Sequence, residues 1–159
     1  MAAKKNVIKV DPFDDLIVIC ISSTGKDYAL AWHINDKLGL ELSRRDDLLK
    51  ADTFGDLSFS FYYFDEGENQ NIFNLIANNS EGNLLLSLPL RTDYFLIIRN
   101  RINEARLTQI LNTLRSIPQV QLAYQLDLSK HKQVDVMLEE VEFHELSTLK
   151  KQQKRQHKN

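Results

Sequence analysis

The sequence predicts an α+β fold: a ferredoxin-like two-layer sandwich with a mainly antiparallel sheet, two helices on one face, one or two extra hairpin strands and a C-terminal helical extension. Three observations carry this. Leu16-Ile17-Val18-Ile19-Cys20-Ile21 and Tyr94-Phe95-Leu96-Ile97-Ile98 are uninterrupted apolar runs, rich in β-branched side chains and too short for buried helices. Each precedes a stretch with apolar residues at helical spacing. The segment after the second helix alternates instead, with Val120, Leu122, Tyr124 and Leu126 interleaved with Gln121, Ala123, Gln125 and Asp127. Continuous runs suit central strands, and alternating ones suit strands with one wet face. A ferredoxin-like order puts the first strand of each βα unit at the centre.

Taken in order, Val7, Ile8 and Val10 suggest a short edge strand, and residues 16–21 the first central strand. Ser22-Ser23-Thr24-Gly25 breaks that run, with Thr24 as helix cap and Asp27 three residues on, a capping box. Residues 28–38 read as a helix with Ala31, Ile34 and Leu38 along one stripe and Trp32 beside it; Gly39 fits the left-handed position after its end. Ser43-Arg44-Arg45-Asp46 reads as the opening of a helical turn. Residues 57–64 are an aromatic strand, with Phe59, Phe61 and Tyr63 facing one way and Tyr62 and Phe64 the other. A polar turn at 65–69 leads to a returning strand at 72–76. After a second turn cluster at 78–83, residues 84–88 read as one more strand before Pro89.

Asn103 is placed to cap a helix carrying Leu107, Ile110, Leu111 and Leu114, which Pro118 stops. The pattern after Asp127 fits either strand or helix and is read as a helix over 139–151 that frays into a basic end. The domain is drawn as 1–149, with 150–159 a disordered basic tail. If both helices cover one face, strands that are apolar on both sides need a second cover. The sequence therefore predicts that the face behind Ile17, Ile19, Phe95 and Ile97, or behind their neighbours, is buried by the segment after Asp127 or by a second subunit.

A chain of 159 residues, 43% hydrophobic and 26% charged, can bury a core without disulfides or metals. No apolar run approaches the roughly 20 residues of a membrane span, and the first residues lack the apolar stretch of a signal peptide. The expected setting is cytoplasmic, with Cys20 a buried apolar side chain. The net charge of −2 is unevenly spread: Lys150, Lys151, Lys154, Arg155 and Lys158 crowd the last ten residues, leaving 15 basic against 22 acidic side chains elsewhere.

Chemical motifs are incomplete. Ser23-Thr24-Gly25-Lys26 lies between strand and helix, where a phosphate loop would sit, but Cys20 and Asp27 stand where such a loop needs Gly and Ser or Thr. The aromatic strand resembles a base-stacking strand, yet lacks the basic residue and Gly expected before it; packing is its more economical use. His33, His131, His144 and His157 are scattered, with no metal-ligand spacing. Cys20 has no nucleophile elbow. Asn78-Asn79-Ser80 matches a glycosylation sequon that a cytoplasmic protein does not use. No catalytic residue, metal or cofactor is assigned.

Asp27-Tyr28-Ala29-Leu30-Ala31-Trp32 with Leu40-Glu41-Leu42, and Asp93-Tyr94-Phe95-Leu96-Ile97-Ile98 with Ile117-Pro118-Gln119-Val120, resemble the IPExxxVDY family of small bacterial proteins. The similarity covers about residues 14–127. Asp93 and Tyr94 stand where the naming motif ends, with Thr92 in place of its Val and Leu90 in place of its Glu. The family has no established activity, so the resemblance implies a cytoplasmic protein and no catalytic residues. The function expected is a non-enzymatic protein-interaction or regulatory module using its sheet face, with a protein partner or itself, as a homodimer. The alternatives are nucleic-acid association through Lys150, Lys151, Lys154, Arg155 and Lys158, or a small-molecule sensor.

Overall fold

The computed structural model describes residues 15–157 except 54 and 69, and side chains as far as Thr148. The edge strand expected around Val7 lies outside the described residues. The elements are β1 (Leu16–Ser23), α1 (Asp27–Leu38), β2 (Ser43–Asp52), β3 (Gly55–Asp65), β4 (Ile72–Ala77), the two-residue strands β5 (Asn79–Ser80) and β6 (Asn83–Leu84), β7 (Tyr94–Arg99), α2 (Glu104–Ser116), β8 (Val120–Gln125) and α3 (Gln133–His157), with a 3-10 turn at Leu128–Lys130. Six strands form one antiparallel sheet in the order β2-β3-β4-β7-β1-β8, while β5 and β6 pair by themselves. The fold is α+β.

The two continuous apolar strands lie side by side within the sheet: Ile19 pairs with Leu96 and Ile17 with Ile98. That register puts Ile17, Ile19, Leu96 and Ile98 on one face and Val18, Cys20, Phe95 and Ile97 on the other, so the expected grouping of Ile17 with Phe95 is corrected. The first face packs on Leu30, Ala31 and Ile34 of α1 and Ile110 and Leu114 of α2. The second face packs on Val134, Met137, Leu138 and Val141 of α3. The cover demanded by the two-sided strands is thus supplied by the segment after Asp127. The protein has a layer of helix on each side of its sheet, and α3 is an integral layer, not an extension appended to a two-layer sandwich.

Local features follow from named residues. Asn103 caps α2, its side chain accepting from the Arg106 amide at 2.7 Å. Gly39 ends α1 at φ 66°. The expected Thr24 cap is not formed: the residue before α1 is Lys26, no side chain caps the helix, and the Thr24 amide donates to the Gln119 carbonyl. In α1 Leu30, not Trp32, joins Ala31 and Ile34 in the core; Trp32 is exposed. On β3, Phe59, Phe61 and Tyr63 face α3 and Tyr62 and Phe64 face the α1–α2 layer, as the alternation predicts.

Four further expectations are corrected. Residues 43–46 open a strand, not a helical turn, because β2 pairs along β3 and its Leu48 enters the α3-side core. Residues 84–88 are mostly loop, anchored by buried Leu85. On β8, Ser22 faces Leu122 but Ser23 faces Val120, so one extra residue bulges at Gln121. The bulge shifts the phase: Val120 and Ala123 face the α1–α2 layer, while Tyr124 and Leu126 face the α3 side. Helix α3 begins at Gln133, six residues before the predicted start, and its backbone continues to His157 through the run read as a tail.

Candidate functional site

Between α3 and the edge strand β2 lies an open groove of about 900 Å³. Its apolar floor is Leu48, Leu49, Val136 and Phe143; its rim carries Asp46, Asp47, Glu139 and Glu140. Helical spacing explains the arrangement. Val134, Met137, Leu138 and Val141 turn inward, so Val136 and Phe143, seven residues apart, both point out. Phe143 is 74% exposed, and Val136, Leu49 and Leu146 are each more than half exposed. Scattered exposed apolar side chains are ordinary, whereas a contiguous cluster rimmed by polar groups is the pattern that interaction surfaces share.

The strand side of the groove is built by a second bulge. Arg45 pairs with Phe61 and Leu48 with Phe59, which leaves one extra residue in the Asp46–Asp47 stretch of β2. His144 of α3 fixes it: Nε2 lies 2.7 Å from the Asp46 carbonyl, and the imidazole meets the Phe61 ring edge-on at 4.8 Å. Asp47 is engaged by Arg44 at 2.7 Å and by the Ser58 hydroxyl at 2.6 Å. Asp46, Glu139 and Glu140 form no ion pair with another described side chain. The charges and bulge of β2 make this edge a poor template for strand addition; the groove beside it is the accessible feature.

Beneath α3 sits a polar contact that sequence patterning does not reveal. Arg99 of β7 pairs with Glu145 of α3 and approaches Asn74 of β4 at 3.4 Å. Asn74 is fully buried and Glu145 nearly so. Burial lowers the Arg99 pKa, offset in part by Tyr63 and Glu142. A single polar anchor in an apolar layer favours one seating of the helix over alternatives displaced by a turn. The only sequence signal was Asn74 interrupting an apolar strand.

The first half of the 23–26 loop is tied into the fold. The Ser23 amide and Ser22 hydroxyl donate to the Asp93 carboxylate at 2.8 and 3.3 Å, and the Thr24 amide donates to Gln119 at 3.0 Å. Amides already given to protein acceptors cannot cradle a phosphate. Beside them Asp27 accepts from Arg44 at 3.1 Å and from the Tyr62 hydroxyl at 3.0 Å. The Tyr94 hydroxyl donates to the Gly25 carbonyl; burial, then Asp27 and Asp93, push its pKa up to about 12. Asp93 and Tyr94 therefore tie β7 to the loop before α1.

Other candidates are placed as follows. Phe59 and Phe61 are buried under α3, out of reach of a stacking base. Asn78 of the sequon is buried, its amide donating to the Leu86 and Thr92 carbonyls. Cys20 is buried on β1 between β7 and β8, and burial raises its thiol pKa against hydrogen bonds from Tyr124 and Thr92. Among the described residues no three His, Cys, Asp or Glu side chains are grouped to hold a metal, and no helix is long and apolar enough to cross a membrane. Lys150, Lys151, Lys154 and Arg155 fall within the backbone span of α3 with side chains outside the described residues; Lys158 lies outside them altogether. No family model, curated protein or solved structure matches this chain.

Proposed function

We propose that this protein is a non-enzymatic interaction module that docks an apolar, basic segment of a protein partner in the groove between β2 and α3. The observation that carries the proposal is Phe143, 74% exposed over an apolar floor with four carboxylates around it. Apolar area supplies the affinity, and the acidic rim selects Lys and Arg at the partner's flanks. This moves the expected contact surface. Both faces of the sheet are occupied by helices, so an interaction uses the outer face of α3 and the strand edge beside it. We read β8-β1-β7-β4 with α1 and α2 as a ferredoxin-like unit, extended by β2 and β3 and backed by α3. We take its setting to be the cytoplasm, in keeping with a chain whose single cysteine is a buried thiol.

The test is binding of a labelled amphipathic Leu–Lys peptide to the whole protein, followed by fluorescence anisotropy, with a Leu–Glu peptide of equal length as control. The Leu–Lys peptide should bind and the Leu–Glu peptide should not. Fully burying a Phe side chain is worth about 1.5–3 kcal/mol, so Phe143→Ser should weaken binding roughly ten- to a hundredfold. Equal binding by wild type and Phe143→Ser overturns the proposal.

A further inference from the structure

We infer that the partner is a second copy of this chain, docked α3 against α3 in an antiparallel two-fold pair; this rests on the reading of the α3 face as a docking surface. The inference comes from the order of side chains along the helix. Asp135, Glu139, Phe143, Leu146, Lys150 and Lys154 follow one another at steps of four, four, three, four and four residues. At 100° per residue those six positions fall within an arc of about 100° on an α-helix. The inward residues Val134, Met137, Leu138, Val141 and Glu145 occupy the opposite side. Asp135, Glu139, Phe143 and Leu146 are all exposed.

The spacing reads the same in both directions, and the chemistry reads acid, acid, apolar, apolar, base, base. A two-fold interface brings one patch against itself in reverse, so it must be self-complementary. Laid antiparallel on a second copy about the midpoint between Phe143 and Leu146, the stripe sets Phe143 against Leu146 of the partner subunit. Glu139 then lies opposite the helix position of Lys150 of the partner subunit and Asp135 opposite that of Lys154 of the partner subunit, and each pairing occurs twice. A parallel pairing would instead set acid on acid and base on base. The 25 residues of α3 span about 37 Å, long enough for all six positions to meet. The same pairing supplies the basic, apolar segment that the acid-rimmed groove selects, since Glu139 and Phe143 line both.

The charge pattern makes the test specific. In the full chain, Asp135→Lys with Glu139→Lys gives an all-basic stripe, and Lys150→Glu with Lys154→Glu an all-acidic one. Sedimentation velocity over a concentration series should show wild-type dimers. Each double variant alone, with helicity verified by circular dichroism, should dimerise at least about tenfold more weakly. An equimolar mixture of the two should regain a one-to-one heterodimer, in which all four charge contacts are attractive again, two with native and two with reversed polarity. A wild type that stays monomeric, or double variants that dimerise as well as wild type, overturns the inference. A monomeric wild type that still binds the Leu–Lys peptide through Phe143 leaves the groove reading standing. Loss of both dimer and peptide binding removes the two together.

Discussion

Replacing Glu145 by leucine removes the carboxylate that faces Arg99 beneath α3 and leaves the guanidinium with Asn74 as its remaining side-chain partner. The Glu145 side chain is 7% exposed and that of Arg99 21%. Breaking a buried pair by removing one partner costs about 3–5 kcal/mol, chiefly because a charge stays buried without compensation. Arg99 borders a crevice also lined by Asp15, Asn100 and Glu142, through which its head can recover some water, so the low end applies. A loss of about 3 kcal/mol corresponds to a fall in Tm of roughly 6–12 °C for a domain of this size. Urea unfolding followed by far-UV circular dichroism is the suitable assay, because exposed Trp32 is a weak reporter of the core. The decisive comparison is the double variant Arg99→Met with Glu145→Leu. With both charges gone no charge stays buried without compensation, and Asn74 gives up only a long contact of 3.4 Å, so stability should return to within about 1 kcal/mol of wild type. If the single variant costs under about 1 kcal/mol, or the double is no more stable than the single, Arg99 and Glu145 are not coupled as described.

Three other outcomes are expected. Arg106 clasps Glu66 through two hydrogen bonds of 2.7 and 2.8 Å and lowers its pKa. A depressed folded value contributes stability above the unfolded pKa of about 4.3 that disappears as pH falls through the folded value, so Glu66→Gln should flatten the loss of stability from roughly pH 5 to 3; an unchanged acid limb would refute this. Asn103→Ala removes the α2 cap and should cost about 1 kcal/mol in urea unfolding, whereas no change would mean that water serves the Arg106 amide equally well. Cys20 should resist a thiol reagent until the protein unfolds globally; rapid labelling of the native protein would contradict its burial at 1% exposure.

The most legible part of the sequence was the centre of the sheet. Two-sided apolarity in β1 and β7 required two covers, and the alternation of β3 assigned each aromatic to its face. Those signals survive because burial acts on every residue of a central strand. β2 was hidden because an edge strand carries charges and a bulge, which read locally as a cap and a turn. The alternation in β8 was real, but one inserted residue changed which side chains meet which layer. The start of α3 was obscured because Val134, Val136 and Leu138 satisfy a period of two as well as helical spacing. The groove was illegible for a different reason: it joins residues 46–49 to 136–147, and nothing local marks either segment as the other's neighbour. Once α3 is known to be a helix packed on one side, however, its self-complementary outer stripe can be read directly from the sequence.

The position of α3 in the chain also sets the order in which the interior can close. The face carrying Val18, Cys20, Phe95 and Ile97 has all its strand residues once β8 is made, yet its lid is completed only at Val141. Sixteen residues separate Gln125, the end of β8, from Val141, or roughly 1–3 s of synthesis at 5–20 residues per second. Through that interval a nascent chain carries a finished helix-backed sheet with one greasy side open to whatever is near. A prematurely ended chain would keep that side open indefinitely, and the same face that gives the completed protein half of its core would make the fragment adhesive.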